Sequence, residues 1–363
     1  MHATKIGFVL LSNSNDALPS TRISVLTMLP YLRQAGYEPK IVFDPPVSAE
    51  TPHVSGLTST MLEQGIRIAY FQKVHGPSVL EEVRTLSQAG IKTIYGVCDL
   101  IDNEMVKATD ATIVVTDYLK QLHDAALHHK IHVVHDGIER PDVQKRYDSW
   151  PTGIRRDSDR PLRAILVTSS ELDTIPIIDA PPKFVEVTIV GAYPPVASLV
   201  DRAKRTYWKT QSITGIAAKL RHAYRISRRR FRAVNWAPNL SYDLMVEADV
   251  GILPVDMRPD PDQPPGASFW QKKSENRLTM KMAVGLPVVA SPVPSYKSII
   301  EQGMNGYIAD GRSDWMAYFD ALRDPELRKR VGERARASVI HRFSREAQAR
   351  LLISVLDRVG GAT

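Results

Sequence analysis

The feature that most constrains the fold is a regular alternation of short apolar runs with amphipathic segments along the chain. Six runs rich in Ile, Val, Tyr and Phe lie in the first half, and six more lie in the second half. In order they are KIGFVLL, PKIVFD, RIAYFQ, KTIYGVCD, ATIVVT, HVVHDG, RAILVTSS, FVEVTIVG, FRAVNW, VGILPVD, PVVAS and NGYIAD. Such runs indicate buried strands, and helices between them indicate parallel sheets covered on both faces.

The helical segments end where this alternation requires. ISVLTMLPYLRQAG and SVLEEVRTLSQAG both finish on Ala-Gly just before the next strand. Glycine readily adopts the left-handed conformation that ends many helices. We therefore expect Gly36 and Gly90 to be helix C-terminal caps.

The two sets of runs indicate two domains, which a chain of 363 residues is long enough to fill with two cores. Between them, a passage rich in Pro, Arg and Asp lacks periodicity and indicates a linker. We expect α/β architecture, with two Rossmann-like doubly wound domains facing across a cleft. The predicted boundaries are 1–145 for the first domain, 146–162 for the linker, 163–340 for the second domain and 341–363 for a C-terminal helix that packs back toward the first domain.

The apolar runs and the single cysteine indicate where in the cell the protein is expected. No apolar run approaches the roughly 18 to 20 residues that cross a bilayer, and the N-terminal run has no small-residue cleavage site after it. Cys98 is the only cysteine, so an internal disulfide and a cysteine-based zinc cluster are impossible. We expect a cytoplasmic protein, associated at most with the inner face of the membrane.

The net charge of +7 is concentrated in one segment, Lys204 to Arg232, where aromatic residues alternate with basic ones. Such a segment attracts phosphate on anionic lipid, nucleic acid or a charged substrate. The alternative is a basic helix that only faces solvent. The candidate contacts to a membrane or polyanion are Arg225, Arg228, Arg229, Arg230 and Arg232.

The last third of the chain carries a family resemblance. The runs ADVGILPVD and NRLTMKMAVGLPVVASPVPSYKSIIEQGMNGYI resemble the donor-side domain of GT-B glycosyltransferases, especially the large retaining family four, also called group 1. In the first half, ATDATIVVTDYLKQL and HVVHDGIE are similar to the passage that closes the acceptor domain of that family. Asp136 stands where those proteins usually have asparagine. The resemblance implies a nucleotide-diphosphate sugar as donor substrate and no separate cofactor.

The stretch around Gly285 and Pro287 predicts a turn from a helix into a buried strand and then an open loop, Ser291 to Tyr296. Backbone amides and the helix start after this loop would suit a diphosphate. The alternative is that Gly-x-Pro only connects a core helix to a core strand. The resemblance places the donor phosphates here, on Pro294, Ser295 and Tyr296.

Other donor contacts are expected near this loop. KKSENR resembles an element that positions the donor in related transferases, where Lys273 and Arg277 would balance charge on the leaving diphosphate. Asn276 either binds a sugar hydroxyl or caps the helix. The remaining candidates are Ser169 and Ser170 as hydroxyl donors and Trp236, which either stacks on the base or packs.

Two positions depart from the family pattern. Relatives commonly have two glutamates eight positions apart that bind sugar and ribose hydroxyls, whereas this chain has Lys272 and Met280. Neither side chain accepts a hydroxyl proton. The nucleotide, the sugar and the stereochemical outcome therefore stay open.

The first domain supplies the acceptor and catalytic candidates. The polar loop SNSNDALPSTR is long for a strand-to-helix connection and favours a binding loop. The candidate acceptor-binding residues are Ser14, Asn15, Asp16 and Arg22. A capping role for Ser20 or Thr21 is the alternative explanation for part of this loop.

The catalytic candidates Asp99, Asp102 and His75 follow two apolar runs and would meet at the carboxyl edge of a parallel sheet. They would orient or deprotonate the acceptor hydroxyl, or stabilise positive charge on the sugar ring. The alternative role for Asp102 is to cap the next helix. The histidines of HDAALHHKIHVVH have no carboxylate partner at ligand spacing, so no metal site is predicted.

The predicted function is transfer of a hexosyl-type sugar from a nucleotide sugar to a glycan, lipid-linked or small-molecule acceptor, without a metal. By analogy, the pathway is cell-surface polysaccharide or glycolipid synthesis. Two alternatives stay open: a nucleic-acid-binding or nucleic-acid-modifying protein of the same fold, and a non-catalytic relative. We expect the membrane surface, rather than nucleic acid, to be the polyanionic partner.

Overall fold

The computed structural model describes residues 3–146, 160–172, 174–178, 180–193, 215–217, 219–220, 231–259 and 268–361. The chain forms two compact units. Unit 1 comprises Met1–Arg140, Pro259–Asn276 and Val339–Thr363, and unit 2 comprises Pro141–Arg258 and Arg277–Ser338. The chain therefore enters unit 1 three times, and the middle entry lies directly before a helix of unit 2.

Unit 1 is built on a six-stranded sheet in the order β2-β1-β3-β4-β5-β6. Every neighbouring pair is parallel, as the alternation predicted. All six predicted runs of the first half are strands, and this prediction is confirmed. The strands are β1 Thr4–Val9, β2 Tyr37–Phe43, β3 Ile68–Gln72, β4 Lys92–Val97, β5 Ala111–Val114 and β6 Ile131–Val133.

Helices cover both faces of this sheet. They are α1 Pro19–Thr21, α2 Leu29–Gln34, α3 Leu57–Glu63, α4 Pro77–Gln88, α5 Asn103–Ala108, α6 Asp117–Leu122 and, near the end of the chain, α12 Arg345–Gly360. A π-helical turn, Arg22–Leu26, follows α1, and a 3-10 turn, Ala125–Lys130, precedes β6. One core contains Val9, Phe71 and Val83. The other contains Phe8 together with Leu352 of α12, because alternate residues of a strand face opposite sides.

The predicted glycine caps are present. Gly36 has φ +86° and follows α2, and Gly90 has φ +79° and follows α4. The amide of Gly36 donates to the Arg33 carbonyl at 3.1 Å, and the amide of Ala35 donates to Tyr31 at 3.0 Å. The last turn of α2 is thereby satisfied before the chain turns into β2.

Unit 2 has its own six-stranded parallel sheet in the order β12-β11-β10-β7-β8-β9. If the strands are numbered 1 to 6 within the unit and read from β9, the order is 3-2-1-4-5-6, which is the Rossmann order. The direction of winding reverses between β7 and β10. The six predicted runs of the second half are again strands. They are β7 Leu162–Val167, β8 Val185–Gly191, β9 Phe231–Asn235, β10 Val250–Leu253, β11 Val288–Ala290 and β12 Tyr307–Ile308.

The helices of unit 2 are α7 Pro238–Glu247, α8 Asn276–Val284, α9 Pro294–Lys297, α10 Arg312–Ala321 and α11 Pro325–Val339, and a 3-10 turn, Phe269–Lys272, precedes α8 in the chain. Because α8 connects the parallel strands β10 and β11, it runs antiparallel to them and starts at their carboxyl edge. Gly285, at φ +95°, ends α8 before the buried strand β11. This agrees with the turn predicted from Gly285 and Pro287. Ile165, Met245 and Val284 pack together on the face of the sheet that α7 and α8 cover.

Candidate functional site

The carboxyl edge of the unit 1 sheet holds a half-buried charge cluster centred on Asp99. This carboxylate, just after β4, lies 2.9 Å from Lys73 Nζ and 2.6 Å from Lys273 Nζ. Burial alone would raise the pKa of Asp99, but the two ammonium groups outweigh burial and lower it to about 2. A carboxylate with so low a pKa accepts a proton poorly at neutral pH. Of the roles predicted for Asp99, the electrostatic one fits this environment and proton abstraction does not.

The contact with Lys273 was not expected, because the sequence placed Lys273 in the donor site of the other domain. Residues 268–276 instead pack within unit 1. Ser268 caps the 3-10 turn by accepting from the Trp270 amide, and Lys273 Nζ lies 4.0 Å from the centre of the Phe269 ring. Lys273 and Asp99 are 174 residues apart in the chain, and no local pattern relates them.

The end of the same segment contacts residues that follow β6. Glu275 is 1% exposed, and its Oε1 lies 2.6 Å from His135 Nδ1. Nδ1 also lies 2.9 Å from the Val115 carbonyl, which can only accept, so Nδ1 carries a hydrogen. Burial would lower the pKa of His135, but the Glu275 carboxylate outweighs burial and raises it.

Asp136, beside His135, is a buried acid that our catalytic candidates did not include. Burial raises the pKa of Asp136 to about 7, the negative charge of Glu275 adds to the effect, and a hydrogen bond from Ser274 opposes it. A carboxyl group that titrates near neutrality is a candidate acid–base group. The sequence signal was its place in HVVHDGIE, where it had been noted only as a departure from asparagine.

The other two catalytic candidates lie at the same edge. Asp102 caps α5 by accepting from the amides of Glu104 at 3.1 Å and Met105 at 3.0 Å, so the capping alternative is confirmed. Its second oxygen is 3.4 Å from His75 Nδ1. Asp102 and His75 thus form a pair, but the first oxygen of Asp102 is already occupied in capping α5.

The predicted acceptor loop is partly held by its own contacts. The amide and hydroxyl of Ser14 donate to Asp44 at 2.8 and 2.6 Å, while Asn15 and Asp16 are exposed. Arg22 forms a bidentate pair with Glu139, with distances of 2.6 and 3.1 Å. That pair must open before Arg22 can bind an acidic acceptor.

The capping alternative for this loop is wrong. Leu18 occupies the N-cap position of α1 and makes no side-chain cap. The Thr21 hydroxyl instead donates to Gln72 Oε1 at 2.9 Å and accepts from Ser12 at 2.8 Å. The loop is therefore tied to the end of β3, at the carboxyl edge.

In unit 2, several donor candidates meet at the carboxyl edge of the sheet. The amide of Ala192 donates to Ser170 and the amide of Trp236 donates to Gly191, which links the ends of β7, β8 and β9. Ser169 and Ser170 are exposed, and Trp236 is 37% exposed. A side chain at Gly191 would place its Cβ 2.5 Å from the Ser170 carbonyl, so this close approach requires glycine.

The loop after β11 differs from the open cradle of amides that we expected. Pro294 has no N–H, and the amide of Tyr296 donates to the Val293 carbonyl at 2.9 Å. Ser295 and Tyr296 are buried, and α9 contains only four residues. The Ser291 hydroxyl accepts from the Val255 amide at 3.0 Å and ties this loop to the end of β10. Pro294, Ser295 and Tyr296 stay predicted contacts of the donor, but this loop offers fewer backbone N–H donors than the sequence suggested.

Asn276 and Arg277 form the first turn of α8, at the carboxyl edge of β10 and β11. Arg277 is half-buried, and its carbonyl accepts from Lys281 Nζ at 3.0 Å. Lys281 is completely buried, and burial, with the nearby charge of Arg277, lowers its pKa to about 7. Sequence reasoning missed Lys281, because a lysine in an amphipathic helix usually faces solvent.

The polyanion candidates Arg225, Arg228, Arg229 and Arg230 lie outside the described residues, whereas Arg232 is exposed on β9. No helix in the described part of the chain is long and apolar enough to cross a bilayer. Within the same residues, no group of three or more His, Cys, Asp or Glu side chains could hold a metal ion.

No protein-family model and no curated protein sequence matches the chain. Among solved structures, it is similar to a glycosyltransferase from Rickettsia africae, with 13% identity, a TM-score of 0.66 and complete coverage of both chains.

Two further structures are similar over nearly the whole chain. HepE from Anabaena, in complex with UDP and glucose, has 13% identity and a TM-score of 0.63, covering 98% of this chain and 100% of HepE. Sucrose-phosphate synthase from Thermosynechococcus elongatus has 13% identity and a TM-score of 0.63, covering 99% and 100%. These likenesses and the two parallel sheets confirm the predicted two-unit, Rossmann-like α/β fold.

Proposed function

We propose that the chain is a glycosyltransferase that moves a sugar from a nucleotide-diphosphate donor to an acceptor hydroxyl. The observation that carries this proposal is the likeness over 100% of the chain to a solved glycosyltransferase. HepE, which is similar over 98% of the chain, was determined in complex with UDP-glucose. A likeness that spans both units supports a reaction that needs both.

Unit 2 is the proposed donor-binding unit. Ligands of Rossmann sheets bind at the carboxyl ends of the strands where the winding reverses, which here lies between β7 and β10. Ser169 and Ser170 follow β7, and Arg277 begins α8, which starts at the same edge. A guanidinium there would stabilise the negative charge that grows on the leaving diphosphate.

Unit 1 is the proposed acceptor-binding unit, because its carboxyl edge carries the acid–base groups. Asp99, held ionised by two lysines, is suited to stabilise positive charge on the sugar ring as the glycosidic bond breaks. We further propose a hexosyl donor, a cell-surface polysaccharide or glycolipid acceptor, a cytoplasmic location at or near the membrane, and catalysis without a metal. The cationic side chains of unit 2 would supply the charge that a metal otherwise provides.

The test begins with thermal denaturation of the full chain against a panel of nucleotide sugars, since a ligand that binds only the folded protein raises its midpoint. Release of nucleoside diphosphate is then measured for the best ligand, with and without EDTA. Arg277→Ala should lower the rate of release at least about tenfold, whereas the exposed Arg334→Ala should leave it unchanged.

The departures at Lys272 and Met280 favour one alternative, a non-catalytic relative that only binds a nucleotide sugar or glycan. A midpoint shift without any nucleotide release would support that alternative. Absence of both a shift and turnover across the panel would contradict the transferase proposal itself.

A further inference from the structure

A small cavity inside unit 1 lies at the carboxyl ends of four adjacent strands. Its volume of about 30 Å³ is enough for one water molecule or one hydroxyl group. The residues that line it lie at the ends of β3, β4 and β5 or just after β3, β4, β5 and β6, and the π-helical turn and α12 complete the lining. Its polar lining includes Gln72, Lys73, Cys98, His135 and Asp136.

Gln72 contributes its side-chain amide to the lining of this cavity. The side chain is 2% exposed, and its Oε1 accepts from the Leu11 amide at 3.1 Å. A backbone N–H can only donate, so the oxygen must face Leu11 and the amide nitrogen must point the other way. Gln72 lines the cavity, so this nitrogen is a candidate donor to a ligand oxygen there.

Lys73 adds backbone strain at the same place. Its φ is +58°, a conformation that residues other than glycine rarely adopt. The conformation is fixed by a hydrogen bond from its amide to the Gly96 carbonyl at 2.7 Å and by the ion pair with Asp99. Strain that is held in place by surrounding contacts is concentrated at functional sites.

Asp136 is a titratable group of the cavity whose pKa lies near neutrality. The groups that act on it come from several segments: Glu275, His135 and Glu139 by charge and Ser274 by hydrogen bond. Tyr70 and Cys98 also line the cavity, and burial raises the pKa of both, so both are neutral at pH 7. Lys73 lines the same cavity. Burial, reinforced by Glu275, raises the pKa of Asp136 to about 7, so a substantial fraction is ionised at neutral pH and is a stronger base than an ordinary aspartate.

We propose that Asp136 is the general base that accepts the proton of the attacking hydroxyl, a role that rests on the proposed function. The hydroxyl oxygen occupies the cavity, accepts a hydrogen bond from the Gln72 amide and passes its proton to an Asp136 oxygen. That oxygen forms the bond to the anomeric carbon while the bond from this carbon to the diphosphate breaks. The electron pair leaves with the nucleoside diphosphate, and Asp136 returns its proton to solvent.

Asp136→Asn tests this role, since asparagine has the same shape and cannot accept the proton. The probe is the nucleotide sugar with the largest midpoint shift, and the reaction is release of nucleoside diphosphate with water as the acceptor. We expect the variant to lose at least about 100-fold in kcat, with the donor KM changed less than about threefold. In the unmodified protein, kcat should rise with pH through about 7, because only the ionised carboxylate is a base.

Two further variants make the outcome decisive. Asp117→Asn, at an exposed position in the first turn of α6, should behave like the unmodified protein. Asp136→Glu keeps a carboxylate, so the rise of kcat with pH should persist with a shifted midpoint even if the asparagine variant does not fold. A rise that is unchanged in both Asp136 variants, or turnover that falls as pH increases, would overturn the assignment.

The same measurements separate this inference from the proposed function. If the unmodified protein binds and turns over no nucleotide sugar, the proposed function fails and the base has no reaction to serve. If it does both and Asp136→Asn keeps its rate, the transferase stands and only the role of Asp136 is wrong.

Discussion

The two units place their buried ion pairs at opposite edges of similar sheets. In unit 1, Asp99 pairs with Lys73 and Lys273 at the carboxyl edge. In unit 2, Asp249 lies directly before β10, at the amino edge, with Arg160 at 3.0 Å and Arg163 at 3.3 Å. Ligands of parallel sheets bind at the carboxyl edge. The Asp99 ion pairs of unit 1 are therefore candidates for a role in catalysis, whereas the Asp249 ion pairs of unit 2 are expected to stabilise the fold.

Other buried charges of unit 2 support a structural role for its amino edge. Lys145 Nζ donates to the carbonyls of Val246 at 2.8 Å and Ala248 at 2.6 Å, which satisfies the C-terminal end of α7. Burial would raise the pKa of Asp249, but hydrogen bonds from Arg163 outweigh burial and lower it. Both groups hold secondary-structure elements together at the edge where no ligand is expected.

The carboxyl edges differ as well. The cluster of unit 1 combines carboxylates, lysines and a histidine, and it includes an acid that titrates near pH 7. At the carboxyl edge of unit 2, Ser169 and Ser170 are exposed after β7, and Arg277 at the start of α8 accepts from the buried ammonium of Lys281 through its carbonyl. This difference agrees with the proposed roles, in which acid–base groups of unit 1 act on the acceptor and unit 2 binds the phosphates of the donor.

The largest effect on stability is expected at the amino edge of unit 2. Asp249→Ala leaves the guanidinium groups of Arg160 and Arg163 without their partner, and Asp249 itself is completely buried. Removing one member of a buried pair is strongly destabilising, and because the arginines are partly exposed we expect a loss of about 2–4 kcal/mol. Urea unfolding at pH 7 measures it.

The exposed Asp243→Ala on α7 is the matched control and should change the free energy of unfolding little. Nucleotide-sugar affinity of folded Asp249→Ala should equal that of the unmodified protein. Loss of affinity without loss of stability would reverse the distinction between the two edges.

A smaller effect is expected at the carboxyl edge of unit 1. Asp99→Asn removes the charge between Lys73 and Lys273, and we expect a loss of about 1–3 kcal/mol at pH 7. The folded pKa of about 2 lies below the unfolded value of about 3.9, so this stabilisation is present above pH 4 and disappears as pH falls through about 2. The stability difference between the two proteins should therefore narrow between pH 4 and pH 2.

Asp99→Asn should also slow nucleotide release without removing the rise of kcat near pH 7, which we assign to Asp136. Asp117→Asn serves again as the exposed control. If the rise near pH 7 disappeared in Asp99→Asn and persisted in Asp136→Asn, the roles of the two acids would have to be exchanged.

The sequence predicted the local structure well, because the strands depend on short-range patterning. All twelve apolar runs are strands, and Gly36 and Gly90 end their helices as expected. The order of strands in each sheet was not predictable, since it depends on which long-range pairs form. The π-helical turn at Arg22–Leu26 had no sequence signal that we recognised.

The site was predicted less completely, because its properties arise from contacts between distant segments. Lys273 was assigned to the donor because KKSENR resembles a donor-positioning element, and its pair with Asp99 in unit 1 could not be read from that resemblance. The pKa of Asp136 depends on burial and on Glu275, neither of which can be read from HVVHDGIE. Sequence identified residues that follow strands, and the structure determined which of them share a charge environment.

The smallest expected effect concerns Lys281, where the two units can be compared most directly. Lys73 and Lys273 of unit 1 have a carboxylate partner, whereas Lys281 is completely buried and its ammonium donates only to the Arg277 carbonyl among the described residues. Its stem lies against β10, and a Cβ at Gly251 would come 2.8 Å from Lys281 Cδ. A buried ammonium without a counter-charge destabilises the fold.

Lys281→Met should therefore raise the free energy of unfolding by about 1–2 kcal/mol at pH 6. The folded pKa of about 7 lies below the unfolded value of about 10.4, so the destabilisation is complete below pH 7 and diminishes as pH rises toward 10. Urea unfolding at pH 6, 8 and 10 should show the gain shrinking in that order, with the exposed Lys297→Met showing no trend. A loss of stability at pH 6 would mean that the ammonium is stabilised where it lies, and that the lysines of the two units are held in equivalent ways.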